Sequence, residues 1–199
     1  MIILSFYSHT LDGGDFVSLL YKEVDDFEAY AYHQKQFKKV TKKDLLGKWT
    51  LFFFYPADFT FVCPTELEDL QEKYQEFKKV NCEISTDTHF AHKTWHDISK
   101  NISKIEYPMI GDPTHSLTYD FDVFDENDGL AQRGSFIIDP EGKIVVYEVN
   151  AGNVGRNAEE LLRRLHACQF VYEHGNNVCP AKWKLGEKTI QTTIENIGK

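Results

Sequence analysis

From Thr50 to Tyr55 the chain reads Thr-Leu-Phe-Phe-Phe-Tyr, a continuous apolar and aromatic run that predicts a strand buried on both faces of a central sheet. Pro56 ends the run, since it has no N–H for a sheet ladder. From Pro64 to Lys79 the period changes: Leu67, Leu70, Tyr74 and Phe77 share one face of a predicted helix, with Pro64 at a first-turn position where a missing N–H costs nothing. Cys63 then falls at or just before the N-cap. Val80 to Ser85 predicts a second strand. Asp87 or Thr88 is a candidate cap for a following helix with an inner stripe of Ala91, Trp95, Ile98 and Ile102. Two β-rich runs, Gly134 to Asp139 and Lys143 to Val149, flank Asp139-Pro140-Glu141-Gly142, a hairpin turn by composition. A long closing helix is expected from Asn157 to Tyr172. A β-α-β half followed by a hairpin and a closing helix is the order of the thioredoxin-like fold, an α/β sandwich with a mixed central sheet flanked by helices.

Composition adds limits. The 199 residues are 42% hydrophobic, enough for a packed core, and no linker, repeat or low-complexity tract divides them. With 31 acidic and 22 basic residues the net charge is -9, and no basic stripe exists that could follow a phosphate backbone, so no nucleic-acid partner is expected. The apolar start, Met1 to Tyr7, lacks a basic leader and is far too short for a membrane span, so no membrane association and a cytoplasmic location are expected. Phosphate-loop, dinucleotide-loop and nucleophile-elbow motifs are all missing, so no bound cofactor is expected. His92 and His96 are spaced to share a metal on one helical face, but they lack the H-E-x-x-H carboxylate and a third ligand, and no metal site is expected.

The candidate chemistry centres on thiols. Four scattered cysteines, Cys63, Cys82, Cys168 and Cys179, make no C-x-x-C and no disulfide framework. Cys63, between a strand end and a Pro-started helix, sits at the positive end of the helix dipole, where a thiol pKa of about 8.5 can fall to roughly 3.5–7.5. Thr60 offers a hydroxyl one turn earlier. Glu66 opposes the effect unless a cation offsets it, and Arg133 and Arg156, each beside a glycine at an element edge, are the candidates. The alternative is that Cys63 is a small buried hydrophobe; its placement favours the reactive reading. Cys179 lies in the turn-rich Gly175-Asn176-Asn177-Val178-Cys179-Pro180, where an exposed, mobile thiol suits a resolving cysteine. Cys168, on the inner stripe Ala158, Leu161 and Leu165, and Cys82, in the second strand, read as core.

Pro56-x-x-x-Thr60-x-x-Cys63-Pro64-Thr65-Glu66 and Val178-Cys179-Pro180-Ala181-Lys182-Trp183 resemble the two active-site signatures of the typical two-cysteine peroxiredoxins. Ser85-Thr86-Asp87-Thr88-His89-Phe90 and Ala91-His92-Lys93-Thr94-Trp95-His96 look most like the bacterial alkyl hydroperoxide reductase type. The similarity runs from about Ser18 to Lys199. The resemblance implies a thiol peroxidase acting on hydrogen peroxide and organic hydroperoxides. Cys63 would be the peroxidatic nucleophile, shielded by Pro56, assisted by Thr60 and Arg133, with Glu66 and Arg156 orienting the pair. It further implies a disulfide from Cys63 to Cys179 of a partner chain, reduction by an NADH-dependent flavoprotein disulfide reductase or by thioredoxin, and homodimers assembling into a decamer. A peroxidase domain over 18–170 and a C-terminal arm over 171–199 are expected, with 1–17 an extension whose translation is expected to start instead at Val17. A holdase chaperone or redox relay on the same ring, or a general disulfide oxidoreductase, are the alternatives. The missing C-x-x-C disfavours the last.

Two departures from the family pattern carry consequences. The chain is roughly three residues shorter between Ile84 and Ser85, an odd length that would flip side chains across a strand unless a loop absorbs it. Asp128-Gly129-Leu130-Ala131 replaces the Gly-Gly-Leu-Gly loop of overoxidation-sensitive members, and the chain ends Asn196-Ile197-Gly198-Lys199 without their Tyr-Phe tail. Local unfolding at Cys63 should then be easy, and disulfide formation should outrun oxidation to sulfinic acid. Mass spectrometry after peroxide turnover is expected to find little Cys63 sulfinate at low peroxide excess; substantial sulfinate there would contradict this.

Overall fold

The central strand is built as its composition demands. In a computed structural model, which describes residues 18–77 and 81–198 and for 81–83 the backbone alone, β3 (Thr50–Phe54) is buried along its whole length. Its side chains alternate between two cores. Leu51 and Phe53 pack with Leu67, Leu70, Trp95, Leu161 and Leu165 on one face of the sheet, while Phe52 and Phe54 pack with Ile84, Ile110, Phe121 and Phe136 on the other.

Around β3 stands a seven-stranded mixed sheet in the order β2-β1-β5-β4-β3-β8-β9. Its remaining members are β1 (Glu28–His33), β2 (Gln36–Thr41), β4 (Asn81–Ser85), β5 (Met109–Gly111), β8 (Arg133–Ile138) and β9 (Ile144–Asn150). β3, β4 and β5 run parallel, and the other pairs are antiparallel. A two-stranded ribbon, β6 (Phe124–Asp125) with β7 (Leu130–Ala131), precedes β8. The α-helices are α1 (Cys63–Glu72), α2 (His89–Ile98), α3 (Ser116–Asp120) and α4 (Ala158–Glu173), and a small pairing of β10 (Asn177–Val178) with β11 (Ile190–Gln191) lies in the C-terminal arm. This is the expected thioredoxin-like α/β sandwich. None of the described helices is long and apolar enough to cross a membrane.

Several expectations are corrected. α1 stops at Glu72 rather than Lys79: Lys73 is its C-cap, and beyond it the Tyr74 N–H donates to the Gln71 carbonyl and the Glu76 N–H to that of Lys73, three residues back rather than four. Tyr74 and Phe77 stay buried through successive turns, so the predicted stripe is intact although its helix is shorter. In α2 the cap is Thr88, whose hydroxyl accepts from the Ala91 N–H, but Ile98 is exposed and His92 takes a buried place on that helix. Cys168 is half-buried rather than core, and the side chain of Cys82 and the extension 1–17, with the expected start at Val17, lie outside the described residues. The shortening near Ile84-Ser85 leaves β4 uninterrupted: Leu51 to Phe54 pair with Asn81 to Ile84, and Ser85 with Gly111. The hairpin β1–β2 has no forecast because its two-residue turn is Gln34-Lys35, both at positive φ without the Asn-Gly that usually marks such a turn.

Close approach rather than conformational freedom explains Gly111. A Cβ there would lie 2.5 Å from the His89 nitrogen and 2.8 Å from the Asp87 carbonyl oxygen, both backbone atoms at the start of α2. Gly111→Ala should therefore push α2 off the sheet, costing about 2 kcal/mol and lowering Tm by roughly 4–8 °C. Calorimetry of the two proteins checks this; an unchanged Tm would contradict the close packing.

Candidate active site

Cys63 opens α1 and lies in the same core cluster as Leu51, Phe53 and Tyr55. It is the first helical residue, with Val62 as N-cap and Pro64 in the first turn, one position further into the helix than the sequence suggested. Its side chain has no exposed surface. Because Val62 has no capping oxygen, the first-turn N–H groups are left to the chain itself: the Thr65 and Glu66 N–H groups both donate to the Val62 carbonyl.

The cation that Glu66 requires is present twice. Arg133, the first residue of β8, donates from Nη1 to Cys63 Sγ at 3.3 Å and to Glu66 Oε2 at 2.7 Å, while its Nε donates to the Gly152 carbonyl at 2.8 Å. Arg156, just before the Asn157 cap of α4, donates to Glu66 from Nε and from its backbone N–H, each at 2.9 Å to Oε1, and from Nη2 to Oε2 at 3.1 Å. Its Nη1 is taken by the Gly134 carbonyl and Ser135 Oγ, and its guanidinium lies 3.3 Å above the Phe53 ring. All three charged side chains are at least 96% shielded from solvent.

Charges this deeply buried persist only where they are paired and hydrogen-bonded. Burial pushes the Glu66 carboxyl up, but the hydrogen bonds and charge of Arg156, with the charge of Arg133, more than reverse this and hold it below the usual carboxylate range. Burial likewise works against the charge of Arg156, and Glu66 opposes that effect. Two guanidinium groups against one carboxylate leave one positive charge uncompensated, and Arg133 presents it to the sulfur. The geometry can stabilise a negative charge on Cys63 or on an oxygen approaching it.

Thr60 is placed differently from expectation. Its hydroxyl donates to the Ala57 carbonyl at 2.9 Å, closing a turn in the loop before α1, rather than pointing at Cys63. Pro56 is half-buried and lines a cleft of about 360 Å3 together with Asp128, Ala131, Asn150 and Gly152, so the Asp128–Ala131 segment and the Arg133-binding carbonyl share one opening. Cys179 is not brought to Cys63 within the chain. It is half-buried rather than exposed, its thiol directed at the Ala167 carbonyl of α4 at 3.9 Å. The arm is pinned by the fully buried Trp183, whose carbonyl accepts from Arg163 and whose indole N–H donates to the Glu187 carbonyl.

One group of site residues escapes the sequence reading. Asp58, five residues before Cys63, accepts from the Tyr55 hydroxyl at 2.6 Å and meets His92 Nδ1 at 2.9 Å, while its N–H donates to Asp87 Oδ2 at 2.7 Å. His92 Nε2 faces the Ile110 carbonyl at 3.1 Å, and His96 Nε2 faces that of Ile105. The histidines read as a potential metal pair thus serve separate purposes: His92 anchors the loop leading to Cys63 to the end of the sheet. The signal was an aspartate between Pro56 and Thr60, whose partner lies 34 residues away and has no local pattern. Among the described residues no cluster of three metal-ligating side chains exists.

The AhpC/TSA family model matches residues 21–147, and that of the C-terminal domain of 1-Cys peroxiredoxin matches 167–197. Alkyl hydroperoxide reductase C of Bacillus subtilis (strain 168) is 53% identical over 186 residues, covering 92% of this chain and 100% of that protein. The same-named protein of Staphylococcus aureus (strain N315) is 53% identical over 188 residues with the same coverage. Among solved structures, Enterococcus faecalis AhpC matches with a TM-score of 0.80 at 51% identity, over 82% of this chain and 100% of that one. The reduced 2-Cys peroxiredoxin of Plasmodium vivax matches with a TM-score of 0.86 at 29% identity, over 92% of this chain and 97% of the other. With family model, sequence relatives and fold in agreement over most of its length, the chain belongs to the AhpC/TSA family of peroxiredoxins.

Proposed function

We propose that the chain is a thiol peroxidase that reduces hydroperoxides with Cys63 as its nucleophile. The observation that carries this reading is the 3.3 Å contact from Arg133 Nη1 to Cys63 Sγ inside a buried ion network that keeps one positive charge in excess. The Cys63 thiolate attacks the terminal peroxide oxygen; the S–O bond forms as the O–O bond breaks, and the departing alkoxide or hydroxide takes up a proton to leave as alcohol or water. Cys63 is left as a sulfenic acid. Arg133 is aimed at the atoms on which charge is redistributed, and Glu66 and Arg156 hold it there, so the donor is in place before the reaction begins. Pro56 shields the thiol, and Thr60 shapes the loop that presents it.

The second half of the cycle needs another thiol. Cys179 of the partner subunit condenses with the sulfenic acid, releasing water and forming an intersubunit disulfide. The complete burial of Cys63 means that the first turn of α1 opens for this step. Two features support a homodimer and its further assembly to a decamer: β9 is a sheet edge with Tyr147 and Val149 exposed, and Phe37, Phe61 and Phe90 present aromatic surface elsewhere. The disulfide is reduced by a flavoprotein disulfide reductase drawing on NADH, or by thioredoxin, in the cytoplasm. Free thiols awaiting peroxide suit a reducing compartment. The domain spans 18–170 and the arm that carries Cys179 follows.

Peroxide consumption by the wild type and by Cys63→Ser, Cys179→Ser and Arg133→Ala, with non-reducing electrophoresis alongside, tests the proposal. Cys63→Ser should abolish consumption, either cysteine variant should abolish the covalent dimer, and Arg133→Ala should slow Cys63 oxidation by roughly 100- to 1,000-fold. Peroxidase activity surviving in Cys63→Ser would overturn the assignment.

A further inference from the structure

Three cysteines have described side chains, and the cycle above uses two of them. The third, Cys168, lies on α4 and lines the same groove as Cys179, a volume of about 570 Å3 with Trp49, Val145, Tyr172 and Val178 among its walls. The carbonyl that receives the Cys179 thiol, at 3.9 Å, is that of Ala167, whose carbon is bonded to the Cys168 nitrogen. One peptide unit of α4 therefore separates the Cys179 sulfur from the Cys168 backbone. Five residues, 174–178, connect the end of α4 to Cys179 and return it alongside the helix. Arg163, one turn back on α4, acts on both thiols and favours the thiolate of each.

We propose that Cys168 is a second resolving thiol, which takes over the disulfide from Cys63 and forms a Cys168–Cys179 bond within one chain. This rests on the cycle proposed above. Cys168 gives its proton to solvent and its sulfur attacks Cys179 Sγ; the new S–S bond forms as the bond to Cys63 of the partner subunit breaks, and that Cys63 departs as a thiolate. No net oxidation occurs in the exchange. The two-electron oxidation made by the peroxide moves from a bond between chains to one within the arm, and Cys63 is free to meet another peroxide before any reductant arrives. The rate has a built-in brake. Burial, with Cys179 adding to it, pushes the Cys168 thiol up to about 11, so at neutral pH few molecules carry the attacking thiolate.

Trypsin, cutting after Arg164 and Lys182, leaves both cysteines in the single peptide 165–182, which makes the linkage directly visible. The full-length protein is treated with an equivalent of hydrogen peroxide without reductant, quenched with an alkylating agent at intervals, and analysed by mass spectrometry and non-reducing electrophoresis. The expected result is a peptide 165–182 that resists alkylation at both cysteines, is two hydrogen masses lighter, and grows as the covalent dimer declines. Its rate should rise about tenfold per pH unit below the thiol's pKa. Cys168→Ser should keep the covalent dimer and leave the first peroxide turnover unchanged. A wild-type dimer that persists while Cys168 remains alkylatable would overturn the exchange and leave the peroxidase cycle standing. Absence of both peroxide consumption and dimer would overturn the cycle and the exchange with it.

Discussion

Glu66, buried between two arginines, is the interaction on which the site depends. A lone carboxylate or guanidinium at this depth would cost several kcal/mol, so each of the three charges is tolerated only in the presence of the others. They arrive from different places: Glu66 from the first turn of α1, Arg133 from the start of β8, Arg156 from the residue before the α4 cap. The ion network therefore ties a helix, a strand and a loop together at one point, and the excess positive charge it leaves is the one that touches Cys63.

A second constraint acts from the other side. The loop between β3 and α1 is tied to the sheet by Asp58, which joins Tyr55, His92 and Asp87 at the ends of three different elements. Between the Asp58 anchor and the Glu66 anchor lies the stretch that contains Thr60 and Cys63. The cysteine is thus held at both ends of a short segment, whereas Cys179 is held by the docked arm some distance away along α4. The two anchors differ in kind: Asp58 is held by a hydroxyl, a histidine and a second aspartate, whereas the helix start, whose N-cap Val62 has no capping oxygen, is held through Glu66 by the two arginines.

What could be read from the sequence follows from how local each signal is. β3 and the inner stripe of α4 announce themselves, because consecutive or periodic apolar residues need no distant partner to be recognised. Cys63 at a helix start was legible for the same reason, and Glu66 raised a local electrostatic conflict that could be resolved only by a cation. That both Arg133 and Arg156 answer it, 67 and 90 residues away, is a matter of tertiary packing. Asp58 and His92 illustrate the opposite case: each looks ordinary in its own segment, and the pairing exists only once α2 lies against the sheet. The hairpin of β1 and β2 was hidden by a turn whose two residues, Gln34 and Lys35, adopt left-handed geometry without the usual residues for it. Thr60 was expected to offer its hydroxyl to Cys63 and Cys179 to be exposed; the structure gives the first a backbone partner and the second a berth on its own helix.

In the proposed mechanism Glu66 acts on Cys63 only through Arg133. A double-mutant cycle on the second-order rate of Cys63 oxidation, using Glu66→Gln, Arg133→Met and the combined variant, measures it most directly. Strong non-additivity is expected: once Arg133 is gone, Glu66→Gln should change the rate by less than about threefold, although alone it costs far more. Independent, additive losses from the two substitutions would contradict it.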